Sequence, residues 1–89
     1  MNSHRISLIR ARLIQALSPQ ELEISDESHL HAGHEGAKEG KGHFRVTIIS
    51  EQFAGLSPIK RHRLVYDAVG DLMETDIHAL AIDAQPPAQ

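Results

Sequence analysis

The first segment of the chain has apolar residues at steps of three and four positions, with arginine and glutamine side chains between them. This spacing predicts an amphipathic helix over residues 3–17. Ser18 and Pro19 follow and end the helical pattern. Apolar and polar residues then alternate over residues 22–28, which predicts a half-buried strand directly after the helix.

Alternation returns over residues 43–50 and predicts a second strand, antiparallel to the first. Ser57 and Pro58 then form a favourable pair for starting a helix, as N-cap and first helical residue. The apolar stripe that follows them predicts a long helix ending near Glu74. A last alternating segment over residues 76–83 predicts a third strand, which should lie parallel to the second because the long helix crosses over between them.

The order of these elements predicts the fold class. A short helical turn is expected before Gly55, so the chain reads helix, strand, strand, short helix, helix, strand. This order predicts an α/β (α+β) two-layer sandwich, in which helices cover one face of a three-stranded mixed sheet. We expect a single domain over residues 1–83 and a flexible C-terminal tail over residues 84–89, where two prolines cannot continue a sheet.

Composition and charge limit the classes of function. The chain has 89 residues, a formal net charge of −3 and no cysteine. It therefore has no disulfides and no thiolate ligands of its own, and no overall positive charge that would attract nucleic acid or an anionic membrane. No window approaches the length of apolar residues that a membrane span needs, so we expect a cytoplasmic protein without a membrane partner.

Histidine and glycine are concentrated between the first two strands, over residues 29–42. This segment has no hydrophobic period and contains His29, His31 and His34 among four glycines, so we expect a mobile loop. Loops of this length in compact domains are usually functional or disordered, and a hydrated tract without a role remains the alternative. His43, which follows the loop, is expected to be exposed.

His78 lies at the start of the third strand. Strand parity places it on the core-facing side with Leu80 and Ile82, at the strand's entrance, where a partly desolvated imidazole would stay neutral and could bind a metal. The alternative is a structural histidine bonded to a neighbouring carbonyl. A bound iron–sulfur cluster would need thiolates from a partner, because this chain has none.

A basic run, Lys60, Arg61, His62 and Arg63, lies at the start of the long helix. These side chains could contact phosphates or a protein partner. A solvated helical face with a structural arginine is the alternative.

Three sequence stretches carry a resemblance to a known family. The run FAGLSPIKRHRLVYDAVGDLMETDIHALAI, preceded by DESHLH and HFRVTIIS, closely resembles the BolA family. The resemblance implies a class II KH-like αββααβ fold. It also implies a partner, a monothiol glutaredoxin, with which the BolA-like chain forms a heterodimer around a bridging 2Fe-2S cluster.

The resemblance also assigns the cluster ligands. The glutaredoxin cysteine and glutathione would bind one iron, while His78 and His31 of this chain would bind the other; His29 and His34 are less favoured alternatives. In the family the partner surface includes the third strand and the positive start of the long helix, so Arg61, His62 and Arg63 would help to dock the glutaredoxin.

The function implied is that of an accessory protein, not an enzyme, in iron–sulfur cluster assembly or trafficking or in iron regulation. The isolated chain would hold no cluster tightly and would be a monomer or weak homodimer. The alternative is a DNA-binding transcriptional regulator that uses the basic start of the long helix, since the family also contains proteins described as transcriptional regulators.

Overall fold

The computed structural model describes residues 2–28 and 42–88. Their elements, in chain order, are α1 (Asn2–Leu17), β1 (Glu21–Asp26), β2 (Gly42–Ile49), a 3-10 turn (Glu51–Phe53), α2 (Pro58–Val69), α3 (Leu72–Thr75) and β3 (Ile77–Gln85).

The three strands form one mixed sheet in the order β1-β2-β3. The β1 strand pairs antiparallel with β2, and β2 pairs parallel with β3, as the order of elements predicts. Residues on one sheet face are buried and those on the other are largely exposed, because α1 and α2 pack against the first face only. The predicted α+β two-layer sandwich is therefore confirmed.

The core between the sheet and the helices is built mainly from aliphatic side chains. Ile9 and Leu13 of α1 are fully buried, and so are Val65 and Val69 of α2. The strands contribute a matching apolar set of buried residues, which comprises Ile24, Phe44, Val46, Ile48, Ile77, Leu80 and Ala84. Burial of these surfaces is the main stabilising term and fixes the positions of the strands that carry the candidate site.

The long helix ends earlier than its apolar stripe predicts. It stops at Val69, and Gly70 follows with a φ of 52°, a left-handed conformation that glycine adopts at little cost. Arg12 of α1 holds this break: its Nη1 donates to the Val69 carbonyl at 3.0 Å and lies 2.9 Å from the Asp71 carboxylate. The predicted helix end near Glu74 is wrong, because α3 is a separate turn after Gly70.

The C-terminal strand is longer than the alternation predicts. Ala84 pairs with Ile48 and Gln85 with Ile49, so β3 continues two residues past the expected boundary at residue 83. Among the helices that the structure describes, none is both long enough and apolar enough to cross a membrane.

Candidate metal site at the start of β3

The start of β3 contains an irregularity that changes the position of His78. Gly42 of β2 pairs with Ile77, but the next residue, His43, pairs with Ala79, so His78 is an extra residue in β3. Ile77 and Leu80 are consequently both buried, whereas His78 is exposed. The predicted core-facing position of His78 is wrong, because strand parity does not hold across the irregularity.

His43 lies against His78. The centroids of the two imidazole rings are 4.9 Å apart, and the ring planes are tilted by 50°. His43 is only 5% exposed, so its predicted exposure is also wrong. Sequence analysis missed this residue, although the parallel pairing predicted for β2 and β3 already brings the starts of these two strands together.

The backbone of His43 is held on the side opposite β3. Its amide donates to Oγ of Ser28 at 3.0 Å, and its carbonyl accepts a bond from the Glu27 amide at 2.7 Å. Glu27 in turn forms an ion pair with Arg45, at 3.0 Å. The two residues that directly follow β1, Glu27 and Ser28, are thereby attached to the strand that carries His43.

The residue that precedes β3 fixes the strand's entrance. The Gly42 amide donates to the Asp76 carbonyl at 3.0 Å, and Nε of Arg5 in α1 lies 3.3 Å from Oδ2 of Asp76. A hydrogen bond from the Thr75 hydroxyl, at 2.6 Å, lowers the pKa of the Asp76 carboxyl. Partial burial of Asp76 acts in the opposite direction and raises this pKa, whereas the neighbouring Arg5 lowers the pKa further.

The structure brings His78 together with His43, while the three loop histidines predicted as ligands or alternatives, His29, His31 and His34, lie outside the described residues. Within residues 2–28 and 42–88 no group of three histidine, cysteine, aspartate or glutamate side chains is arranged to hold a metal ion. The described part of the site therefore brings two imidazoles together, and of these the one of His78 is exposed.

The basic run at the start of α2 is divided between internal and external roles. Nε of Arg61 donates to the Leu56 carbonyl at 2.9 Å, and Nη1 donates to the Ala84 carbonyl at 3.2 Å. Lys60 and Arg63 are exposed, and His62 is half-buried. The guanidinium of Arg61 thus joins α2 to the end of β3, while Lys60 and Arg63 present their charges to solvent.

Comparisons with known proteins agree with this architecture. The model of the BolA-like protein family matches residues 13–89. BolA-like protein 1 of Mus musculus is 49% identical over 81 residues, which cover 91% of this chain and 57% of that protein. SufE-like protein 1 of Arabidopsis thaliana is 43% identical, over 91% of this chain and 23% of its own length. The chain thus spans little more than half of the first relative and about a quarter of the second.

A solved structure supports the same relationship. The BolA domain of SufE1 from Arabidopsis thaliana superposes with a TM-score of 0.83 and 44% identity, over 93% of this chain and 92% of that domain. The matched region contains the whole β-sheet and both histidines of the β3 entrance. This chain belongs to the BolA-like family.

Proposed function

We propose that this protein is an accessory factor in iron–sulfur cluster assembly or trafficking, or in iron regulation. It binds a monothiol glutaredoxin and supplies imidazole ligands to a 2Fe-2S cluster held between the two chains. The family relationship and the presence of a BolA domain in a SufE-like protein support a role connected with iron–sulfur clusters. The protein acts as a binding partner and not as an enzyme.

The observation that carries the proposal is the exposed imidazole of His78 on a chain without cysteine. Imidazole nitrogen is an established ligand of 2Fe-2S clusters, where two histidines can replace two thiolates on one iron. An exposed ring at a strand entrance can be reached by a cluster that another protein carries. The donor set of this chain therefore fits a shared cluster and does not fit one held by this chain alone.

Each component has a separate part in the proposed complex. His78 and His31 bind one iron, and the glutaredoxin cysteine and glutathione bind the other. Two imidazoles raise the reduction potential of a cluster relative to thiolates alone, and they can be protonated. The start of α2 is the second contact, where Lys60 and Arg63 are exposed.

The test is to mix the protein with a cluster-loaded monothiol glutaredoxin and glutathione, and to record visible absorption and circular dichroism. We expect wild-type protein to give a new spectrum, and His78→Ala and His31→Ala to lose it. His4→Ala is the matched control, because His4 is an exposed histidine on α1. An unchanged cluster spectrum in both ligand variants would reject the ligand assignment.

The same samples separate the alternative function. A shift of labelled DNA by the cluster-free protein, weakened by added salt, would favour a DNA-binding regulator. Arg61 donates to two carbonyls within the protein, so fewer basic side chains at the start of α2 are available to contact DNA than the sequence suggests.

A further inference from the structure

The exposed ring of His78 is a side chain that would sample several rotamers if nothing contacted it. The buried ring of His43 lies against it, at a separation and tilt within the range that packed aromatic pairs adopt. His43 itself is fixed, because it is almost fully buried and its backbone is bonded to Glu27 and Ser28. A fixed ring therefore limits the orientation of an exposed one.

We propose that His43 is a positioning residue for His78, which holds the exposed imidazole in the orientation needed to receive the partner's cluster. This inference rests on the proposed function, since it assigns the orientation of the proposed ligand. His43 acts through ring packing and not as a ligand to iron.

The different burial of the two rings supports assigning the ligand role to His78 and the positioning role to His43. A ligand for a cluster carried by another protein must be reachable from outside, and His78 is exposed while His43 is 5% exposed. Restricting the ligand's rotamer before binding reduces the conformational entropy that is lost when the complex forms. Supporting residues that lock a ligand's orientation commonly strengthen metal binding by this route.

Three substitutions at His43 separate packing from ligation. His43→Phe keeps a planar ring and removes both ring nitrogens, His43→Gln keeps polar atoms and removes the ring, and His43→Ala removes both. Thr47→Ala is the control, because Thr47 is an exposed residue of the same strand, opposite Asp83. Thermal unfolding of every variant establishes that the fold is retained.

Two measurements are made on each variant. The first is the χ1 rotamer distribution of His78 in the cluster-free protein, from three-bond couplings in NMR spectra. The second is the circular dichroism of the mixed cluster with glutaredoxin. We expect one dominant rotamer and a full cluster spectrum in wild type, Thr47→Ala and His43→Phe. We expect rotamer averaging and loss of most of the cluster signal in His43→Gln and His43→Ala.

Two results would overturn the inference. If His43→Phe loses the cluster while His78 keeps a single rotamer, a ring nitrogen of His43 is required and the residue is not a positioning residue. If His43→Gln and His43→Ala leave the rotamer distribution unchanged, the packing has no positioning effect. Should wild-type protein form no mixed cluster, the proposed function fails, and the rotamer measurement still decides whether His43 orients His78.

Discussion

Nη1 of Arg61 in α2 donates to the Ala84 carbonyl in β3 at 3.2 Å. The same guanidinium bonds the Leu56 carbonyl at 2.9 Å, so one side chain joins the helix start, the preceding turn and the end of the C-terminal strand. Among the described strands β3 lies at the edge of the sheet, so this contact also occupies a backbone acceptor at that edge.

We expect Arg61→Ala to lower the free energy of unfolding by about 1–3 kcal/mol, since it leaves two partly buried carbonyls without their charged donor. Urea unfolding followed by far-UV circular dichroism measures the change. Arg63→Ala is the matched control, because Arg63 is an exposed arginine two positions along the same helix. Its expected effect is within about 0.5 kcal/mol. Equal effects of the two substitutions would show that the contacts of Arg61 do not stabilise the fold.

The glycine that begins β2 is required by a close approach to the core. A Cβ atom at Gly42 would lie 2.4 Å from Cε2 of Phe44, whose ring is buried in the core. We therefore expect Gly42→Ala to destabilise the protein by about 1–3 kcal/mol through overpacking. Because Gly42 precedes His43, a displaced strand start would also disturb the contact between His43 and His78.

Gly55→Ala is a useful comparison for that experiment. A Cβ at Gly55 would meet nothing within 4 Å, so only its φ of 77° opposes the substitution. We expect a cost of about 1 kcal/mol there, and no change in the ring contact between the histidines. If Gly42→Ala cost no more than Gly55→Ala, the close approach to Phe44 would not be a constraint.

Alternation and periodicity predicted the strands and their order because each strand has one buried face. They did not predict the position of His78, since an extra residue in β3 shifts parity without any change in the local sequence pattern. The end of α2 was misplaced for a related reason. Leu72 is buried like the stripe before it, although a left-handed glycine has already ended the helix.

Of the two histidines at the candidate site, His78 could be predicted from the sequence and His43 could not. His78 is visible from its place at the start of the last strand, and the resemblance adds its role. His43 had no such signal: its burial depends on a tertiary contact between two strand starts, and a histidine beside Arg45 and Thr47 on a strand reads as exposed. Tertiary packing decided its environment.

The ionisation of Asp76 makes the stability of the protein depend on pH in the acidic range. Its folded-state pKa lies below the ordinary value of 3.8, chiefly because the Thr75 hydroxyl donates to the ionised carboxylate. Ionised Asp76 therefore contributes stability above that ordinary value, and the contribution is lost as the pH falls through the lowered folded-state pKa. Thr75→Val removes the hydrogen bond and should raise the pKa of Asp76 towards its ordinary value.

An NMR titration of the Asp76 carboxyl carbon in the cluster-free protein measures this pKa directly. Thr75→Ser is the control, because it keeps the hydroxyl and should leave the pKa low. A Thr75→Val protein with an unchanged titration midpoint at Asp76 would contradict the assignment of the hydrogen bond as the main cause.

Ser50 connects the end of α1 to the turn after β2. Its side chain is 1% exposed, its hydroxyl donates to the Leu17 carbonyl at 2.6 Å, and its Oγ accepts from the Gln52 amide at 3.1 Å. Ser50→Ala leaves a buried carbonyl and an amide without this partner, so we expect unfolding to become easier by about 1–3 kcal/mol. Ser7→Ala is the control in chemical denaturation, because Ser7 is exposed and its hydroxyl donates to the Ser3 carbonyl of its own helix. Its expected effect is within about 0.5 kcal/mol, since alanine is favoured in a helix. A Ser50→Ala protein as stable as Ser7→Ala would mean that water replaces the hydroxyl, and that the α1 terminus is not held by Ser50.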